Sequence, residues 1–354
     1  MKHYLAVIVI CASTFALWAQ QPKVSNTQFS VEAIGGNLTA TVDRFRRSSE
    51  QLWLGYEVPA LPQSHLSSCS NWSDSSQVDD GCCGEYQLED SNHFGMNRDG
   101  HEPAVKNMYV LLRFDHGQLI KIRTLIAGCR LNAGGVAFTW LTGVQPEESV
   151  SFLTGVANQA NESAHHGILD EALISISYHA TPEATRSLLQ IASSAAPLHT
   201  REQAAFWLGV QRGHEGLLAL RDLESKSTDT ELKEKLPFDF SQNSDPAAED
   251  ELFRMAKSDS DVKVREQALF WIAQKAGRKA AAVLTDAIQN DPETDVKKRA
   301  VFALSQLPKD ESVPKLIEVA STNSNPAVRK EAIFWLGQSH DARALAYLEQ
   351  VLKQ

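Results

Sequence analysis

Cysteine is absent after residue 129 of this 354-residue chain, so most of its length is held together without covalent staples. Positive charge is also scarce. The 34 Lys and Arg stand against 44 Asp and Glu, a net charge of −10. That balance argues against general nucleic-acid binding, which needs a basic face, and weakly against docking on anionic lipid. Beyond the first 20 residues no apolar run approaches the ~20 residues that a spanning helix needs. There is no G-x-S-x-G, P-loop or H-E-x-x-H pattern, and no C-x-x-C or H-x-x-x-H spacing. No catalytic residue, metal ligand or cofactor is nominated by a motif. His65, His93, His101, His116 and the pair His165-His166 therefore read as incidental to any metal.

The first 20 residues read as a secretory signal. Lys2 supplies a positive start, Leu5 to Leu17 an apolar run, and Ala19 a cleavage position. Cys11 lies inside that run behind Ile10, which does not fit a lipidation site. The expectation is an exported chain, periplasmic or secreted, with no integral membrane segment once the signal is removed. Removal leaves Cys69, Cys82, Cys83 and Cys129. An even number in an exported protein favours two disulfides. Bonding Cys82 to Cys83 would strain a small ring, so Cys69 and Cys129 each pair with one of them, in either order.

Residues 22–136 read as a small α+β domain stapled by those bonds. Thr27–Ile34 and Leu52–Val58 are strand candidates. Between them Asn37 is placed to cap a helix from Leu38 to about Ser49. Residues 60–102 have loop composition. Val105–Phe114 and Gln118–Ile126 carry the strongest strand signals, and Asp115-His116-Gly117 predicts a hairpin between them. The face holding Ile120, Ile122, Thr124 and Ile126 is the core candidate, and the sheet is expected to be antiparallel. Residues 131–144 read as a junction, and 137–163 as a divergent cap of a C-terminal repeat region.

That region has a fixed period. Val264–Trp271 reads Val-Arg-Glu-Gln-Ala-Leu-Phe-Trp; Val328–Trp335 and Thr200–Trp207 repeat it, and weaker copies at Val296–Ala303 and Leu232–Asp239 set the period at 32 residues. A fixed period of that size implies stacked helical pairs. Units begin near 168, 200, 232, 264, 296 and 328, each with a helix A that carries the motif and a helix B. Pro237 falls inside helix A of the third unit and predicts a kink or break there.

The pattern Asn325-Pro326-Ala327-Val328-Arg329-Lys330-Glu331-Ala332-Ile333-Phe334-Trp335-Leu336-Gly337, matched closely at 261–274 and 293–306, resembles the HEAT-like repeats of bacteria, of the type also found in phycobilisome lyases. The resemblance spans residues 164–354. It implies a mainly α chain: an α-solenoid of an armadillo-like helical kind over 137–354, serving as a scaffold. The family also includes deoxyhypusine hydroxylase, whose iron ligands are paired His-Glu steps. Here His214-Glu215 is the only such step within the repeats, too few for a diiron site.

Two ladders follow from the period. Arg201, Lys233, Arg265, Lys297 and Arg329 recur in phase, and the resemblance to HEAT-like repeats implies that they pair with acids at the unit boundaries: Asp229, Asp261, Glu293 or Asp295. Phe206, Phe238, Phe270, Phe302 and Phe334 also recur. With Val328, Ala332 and Leu336 as the core face, Trp335 falls inside that face and Phe334 beside it. Phe206, Phe270, Phe302 and Phe334 are thus the candidate binding residues, packed between units or forming a partly exposed ridge. Gln242, Gln274, Gln306 and Gln338 recur at the end of helix A and are expected to bond backbone carbonyls. The functional expectation is a non-catalytic scaffold of the cell envelope that binds another protein or a peptide on the solenoid. The alternative is an enzyme whose site lies within residues 50–130, with the solenoid as its recognition arm.

Overall fold

The computed structural model describes residues 21–48, 50–62, 78–79, 82–90, 106–159, 166–275 and 279–353. The expected signal (1–20), Cys69, His65, His93, His101 and His165 lie outside the described residues, as do the side chains of Cys82, Cys83 and His166.

The N-terminal part runs β1 (Val24–Ser25), β2 (Phe29–Ala33), α1 (Leu38–Ser48), β3 (Leu52–Pro59), β4 (Val78–Asp79), β5 (Cys82–Cys83), β6 (Glu85–Gln87), β7 (Asn107–Asp115), β8 (Gln118–Ile126), β9 (Arg130–Asn132) and β10 (Ala137–Thr142). Asn37 caps α1: the Ala40 N–H donates to its Oδ1 at 3.1 Å. His116 and Gly117 both have positive φ (48° and 76°), the two-residue turn that matches the twist of a β7–β8 hairpin.

The main sheet has the order β2-β10-β3-β7-β8 and is mixed, which corrects the antiparallel expectation. β10 inserts between β2 and β3 and runs parallel to both, while β3, β7 and β8 are antiparallel. Residues 137–142 therefore belong to the sheet and not to a cap of the repeats. Phe138, Trp140 and Leu141 are buried on opposite faces, so β10 shows no alternation from which a strand could be read. Both sheet faces are covered. Ile122 and Ile126 join one core with α1 and the helical part; Trp53, Tyr109, Leu111, Leu125, Phe138 and Trp140 form a second core on the other side. The expectation of one core face on β8 fails for the same reason, and Ile120 stands exposed.

Among the described residues the rest is helical: α2 (Pro146–Gln159), α3 (His166–Tyr178), α4 (Pro182–Ala192), α5 (Leu198–Gln211), α6 (Gly213–Lys226), α7 (Thr230–Gln242), α8 (Ala247–Ser258), α9 (Val262–Lys275), α10 (Ala280–Asn290), α11 (Thr294–Ser305), α12 (Lys309–Thr322), α13 (Pro326–Gln338) and α14 (Ala342–Leu352). From α3 onward the chain makes six A/B pairs, and helix A starts at 166, 198, 230, 262, 294 and 326 keep the 32-residue phase. Each A helix packs on the next A helix, and α4, α8, α10 and α12 each pack strongly on the A helix that follows them. The A layer comes close enough to need glycine: a Cβ on Gly209 of α5 would meet the Asp239 carbonyl oxygen of α7 at 2.4 Å.

α7 is one continuous helix in spite of Pro237, which corrects the predicted break. An interior proline costs about 3 kcal/mol. Leu232, Leu236 and Phe240 of the same helix are fully buried between α5 and α9, each worth roughly 1.5–3 kcal/mol. Burial wins.

The sheet and the solenoid are joined directly. Pro59 O accepts from Ala180 N (3.1 Å) and Tyr178 O from Leu61 N (2.8 Å), so the end of β3 is clipped to the end of α3. Glu171 of α3 accepts the edge N–H of Ile122 at 2.7 Å and pairs with Arg123, which covers the open edge of β8.

Candidate protein-binding ridge on the A helices

The motif phase puts one phenylalanine of each of five consecutive A helices on the same flank, and the rings touch. Phe206 and Phe238 stack at 5.8 Å between centroids; Phe238 meets Trp271 at 4.6 Å; Phe270 adjoins Trp271 at 4.9 Å and stacks on Phe302 at 6.1 Å, with 2° between planes. Phe302 meets Trp335 at 5.0 Å, and Trp335 adjoins Phe334 at 5.0 Å. Trp207 and Tyr178 extend the row at the other end. The chain of rings is unbroken from α3 to α13. Its rhythm is two units: a stacked Phe pair, then a Trp wedge.

Burial shows what the row is for locally. Phe206, Phe238, Phe270 and Phe302 are half-buried, covered by the neighbouring unit and open along one edge, while Phe334 is 53% exposed. The rings are thus packed between units and also partly open, because packing covers one side of a ring only. Trp271 and Trp335 are half-buried too, which corrects their placement on the core face. That face is instead made by Val264, Ala268, Leu269 and Ile272 in α9 and their counterparts. Trp335 turns its Nε1 outward to donate to Glu331 (2.8 Å). Arg299 lies 4.9 Å over Phe270 and 5.0 Å over Phe302, a cation held on the most regular stacked pair.

One helical turn beyond the Phe row, Gln242, Gln274, Gln306 and Gln338 all stand exposed. Gln242 and Gln306 donate to the hydroxyls of Ser241 and Ser305 at 3.0 Å, and not to backbone carbonyls as expected. A primary amide has two N–H donors and a carbonyl, so each keeps polar capacity toward solvent.

The basic ladder is uneven. Arg201 reaches Asp229 of the next unit at 2.6 Å. Arg265 makes a two-pronged pair with Asp291 (2.8 and 3.2 Å) and donates to Asp259 O (2.9 Å); both side chains are buried. The acid at this boundary is Asp291, not Asp261, Glu293 or Asp295. Asp261 caps α9 by accepting from Lys263 N, and Asp295 pairs with Lys298. Lys297 and Arg329 reach only carbonyls, Gln289 O at 2.9 Å and Asn323 O at 2.8 Å. Among the described residues no ion pair of Lys233 accompanies them. A second set of struts joins the B helices, with Arg221–Glu251, Arg254–Glu224 and Lys279–Glu249 spanning consecutive units.

Two polar clusters were not foreseen. Behind the sheet, Glu89 accepts from Trp53 Nε1 (2.8 Å) and Arg113 Nε (2.9 Å), while Lys121 donates to Glu89 O (2.6 Å). Burial lowers the Lys121 pKa. All four groups are already engaged with one another, which makes this a satisfied network. At the junction, Tyr56, Ser149 and His179 are fully buried; Ser149 Oγ lies 2.8 Å from the Tyr56 hydroxyl and 2.7 Å from His179 Nε2. His179 Nδ1 lies 2.7 Å from the Ser175 carbonyl, which can only accept. Nδ1 therefore carries the proton, and Nε2 accepts from Ser149. Burial drives the His179 pKa down to about 4 and the Tyr56 hydroxyl far up. A serine beside a histidine has the parts of a nucleophilic pair. Sealed from solvent and with a backbone carbonyl as its third member, it serves as a seam. Arg212 completes it by donating to Ser177 O (3.2 Å), His179 O (2.7 Å) and Thr181 O (3.0 Å) at the end of α3. No sequence spacing links residues 56, 149, 179 and 212.

Among the described residues no group of His, Cys, Asp and Glu is arranged to hold a metal, and no helix is long and apolar enough to cross a membrane. His214 bonds Asp245 (2.6 Å) and Glu215 accepts from Thr185 (2.9 Å), so that His-Glu step is used between units. Cys129 is buried and disulfide-bonded.

No curated protein matches the chain. Solved structures give weak likenesses. Human deoxyhypusine hydroxylase is 17% identical with a TM-score of 0.31, over 58% of this chain and 90% of that one. The CpcE–CpcF complex of phycocyanin lyase from Nostoc is 22% identical with a TM-score of 0.32, over 43% and 97%. YibA of E. coli is 19% identical with a TM-score of 0.36, over 58% and 80%. The sequence profile of HEAT repeats matches residues 249–321 and 281–354, that is α8 through α14. The HEAT-repeat match thus covers the last seven helices, and the helical pairs before them keep the same 32-residue phase.

Proposed function

We propose that this chain is an exported, non-catalytic scaffold that binds another protein through an extended peptide segment laid along the A helices. The observation that carries the reading is the unbroken aromatic row from Phe206 to Phe334, whose rings are partly open to solvent. A ladder that served packing alone would be closed on both sides, as the aliphatic face of Val264, Leu269 and Ile272 is. The exposed glutamine row beside it supplies what a peptide backbone needs, donors and acceptors in step with apolar contacts. Successive A helices are spaced about 8–10 Å apart, close to the ~9 Å of three residues in extended or polyproline conformation. One unit therefore meets every third residue of a straight peptide. Net charge of −10 is compatible with a protein partner and argues against general nucleic-acid binding. Export through the N-terminal signal and disulfide stapling of the first domain belong to the same proposal; Cys129 supports the second.

The test is selection of peptides from a displayed random library on the full chain, followed by binding to Phe206→Leu and Phe270→Leu, which keep apolar volume but remove the rings. Each lost ring contact of about 0.5–1.5 kcal/mol weakens binding roughly 2- to 12-fold. Failure to select any peptide refutes the reading, and so do selected peptides that bind the double variant as well as the parent. N-terminal sequencing of the protein from the cell envelope checks export, with cleavage after Ala19 expected.

A further inference from the structure

The five-stranded sheet has two edges, and they are finished differently. On β8 the outward N–H of Ile122 is taken by Glu171, and Arg123 pairs with the same carboxylate. On β2 no strand among the described residues pairs beyond the edge. The parallel ladder fixes which backbone groups point outward there. Phe138 N donates to Gln28 O and Ile34 N donates to Thr142 O, with Ser30 opposite Thr139 between them. Even-numbered residues of β2 therefore turn their backbone groups to β10. Phe29, Val31 and Ala33 turn theirs away, three N–H donors and three C=O acceptors in a row. Side chains alternate in the same rhythm. Phe29 stacks on Phe138 at 5.9 Å, which puts Phe29, Val31 and Ala33 on the side of the second core, and all three stand exposed. The strand carries none of the guards that blunt an edge: no Lys, no Pro and no bulge. Its one charge, Glu32, is paired with Arg44 of α1.

We infer that β2 pairs antiparallel with β2 of a second copy of this chain, about a twofold axis at Val31, to make one continuous sheet with five strands from each copy. A row of outward backbone donors and acceptors is matched in full by another extended strand. That strand is a second β2 because the sequence of β2 is complementary to its own reverse. Pairing about Val31 sets Val31 against Val31. On both sides of the axis it sets Phe29, the largest residue of that face, against Ala33, the smallest. All three pairs are of the hydrogen-bonded kind, so every outward group of the two edges is satisfied. On the other face Glu32 meets Ser30, and no carboxylate meets a carboxylate. Sliding the partner by two residues in either direction keeps only two of the three pairs, and one of the slides sets Glu32 against Glu32. The contact is isologous and uses each β2 edge once. The far edge of each sheet is already blocked by Glu171, so growth stops at two copies.

Magnitude sets the strength. The paired stretch is five residues, about 17 Å long and one strand wide, which is below the standard size of a specific interface. The dimer is therefore a weak equilibrium and not a permanent assembly.

The experiment is sedimentation velocity of the full chain from low micromolar to several hundred micromolar. A concentration-dependent shift from monomer to dimer is expected. Val31→Pro removes the N–H at the axis, which β10 does not use, so the sheet keeps its own ladder. Val31→Lys keeps that N–H and sets two like charges at the axis. Each weakens the dimer by about tenfold or more. Ile120→Lys, exposed on the blocked edge strand β8, leaves the dimer unchanged. So does Phe206→Leu, which lets this inference and the peptide ridge fail separately. In the unmodified chain, the amide hydrogens of Phe29, Val31 and Ala33 gain protection from exchange as concentration rises, while those of Ser30 and Glu32 are protected throughout. A chain that stays monomeric across the range overturns the inference, and so does a dimer that survives either Val31 substitution. Protection of Phe29, Val31 and Ala33 already complete at the lowest concentration overturns it too, since the edge is then filled within one chain.

Discussion

Arg265 is the test of how the units are held in register. Its guanidinium makes three bonds, two to Asp291 and one to Asp259 O, and the two side chains are 9% and 6% exposed. Removing one member of a buried pair costs about 3–5 kcal/mol because the other charge is left unpaired. Asp291 keeps one bond, from Glu293 N at 2.9 Å, which places Arg265→Ala near 3 kcal/mol, the lower end. At Lys297 a single exposed bond to a carbonyl is lost, worth about 0.5–1 kcal/mol. Arg201, paired with Asp229 at a partly exposed site, falls between them. The same motif position thus yields a graded series. The assay is urea unfolding followed by tryptophan fluorescence, with hydrogen exchange to localise the loss. In a stack held by nearest-neighbour contacts, Arg265→Ala loosens α9 to α14 before α3 to α7. Replacing both partners, Arg265→Met with Asp291→Leu, restores most of the loss, since an apolar pair of similar volume satisfies a buried site as well. If Ala substitutions at 201, 265 and 297 all cost the same within about 0.5 kcal/mol, burial of the pair does not govern the ladder and the reasoning is wrong.

Three further outcomes concern buried groups. His179 is held neutral with its pKa near 4 against 6.5 for the free side chain, so its contribution is complete above pH 6.5 and is lost as pH falls toward 4. The loss is on the order of 3 kcal/mol, and His179→Gln flattens that limb of the stability-versus-pH curve. Asp239, which takes the tryptophan position of the third unit, has the opposite sign. Burial, with Glu202 nearby, raises its carboxyl pKa, and its Oδ2 has no partner, so it costs stability increasingly as pH rises above about 4. Asp239→Asn therefore gains on the parent between pH 4 and 8; a gain that does not grow with pH in calorimetry contradicts this assignment. Mass spectrometry of exported protein under non-reducing conditions should find no free thiol at Cys129, and reductant should loosen residues 22–136 while leaving the melting of the repeats in place.

What the sequence showed and what it hid divide along one physical line. A contact between residues one period apart leaves a periodic trace, so the six helical pairs, the stacked rings and the strut positions were readable from the recurrence of Val-Arg-x-x-Ala-x-Phe-Trp. A contact between residues far apart and out of period leaves none. β10 lies between strands that precede it by about a hundred residues, and the Tyr56–Ser149–His179 seam joins three elements that share no spacing. The acid that meets Arg265 was misplaced by two residues, because the boundary turn offers several carboxylates and only the fold decides which one faces inward. The third unit shows the limit from the other side. Pro237 and Asp239 break the pattern on which the helix was inferred, yet α7 persists, since α5 and α9 supply apolar cover on both flanks. A unit in the middle of a stack tolerates a poor sequence because its neighbours pack it from two sides.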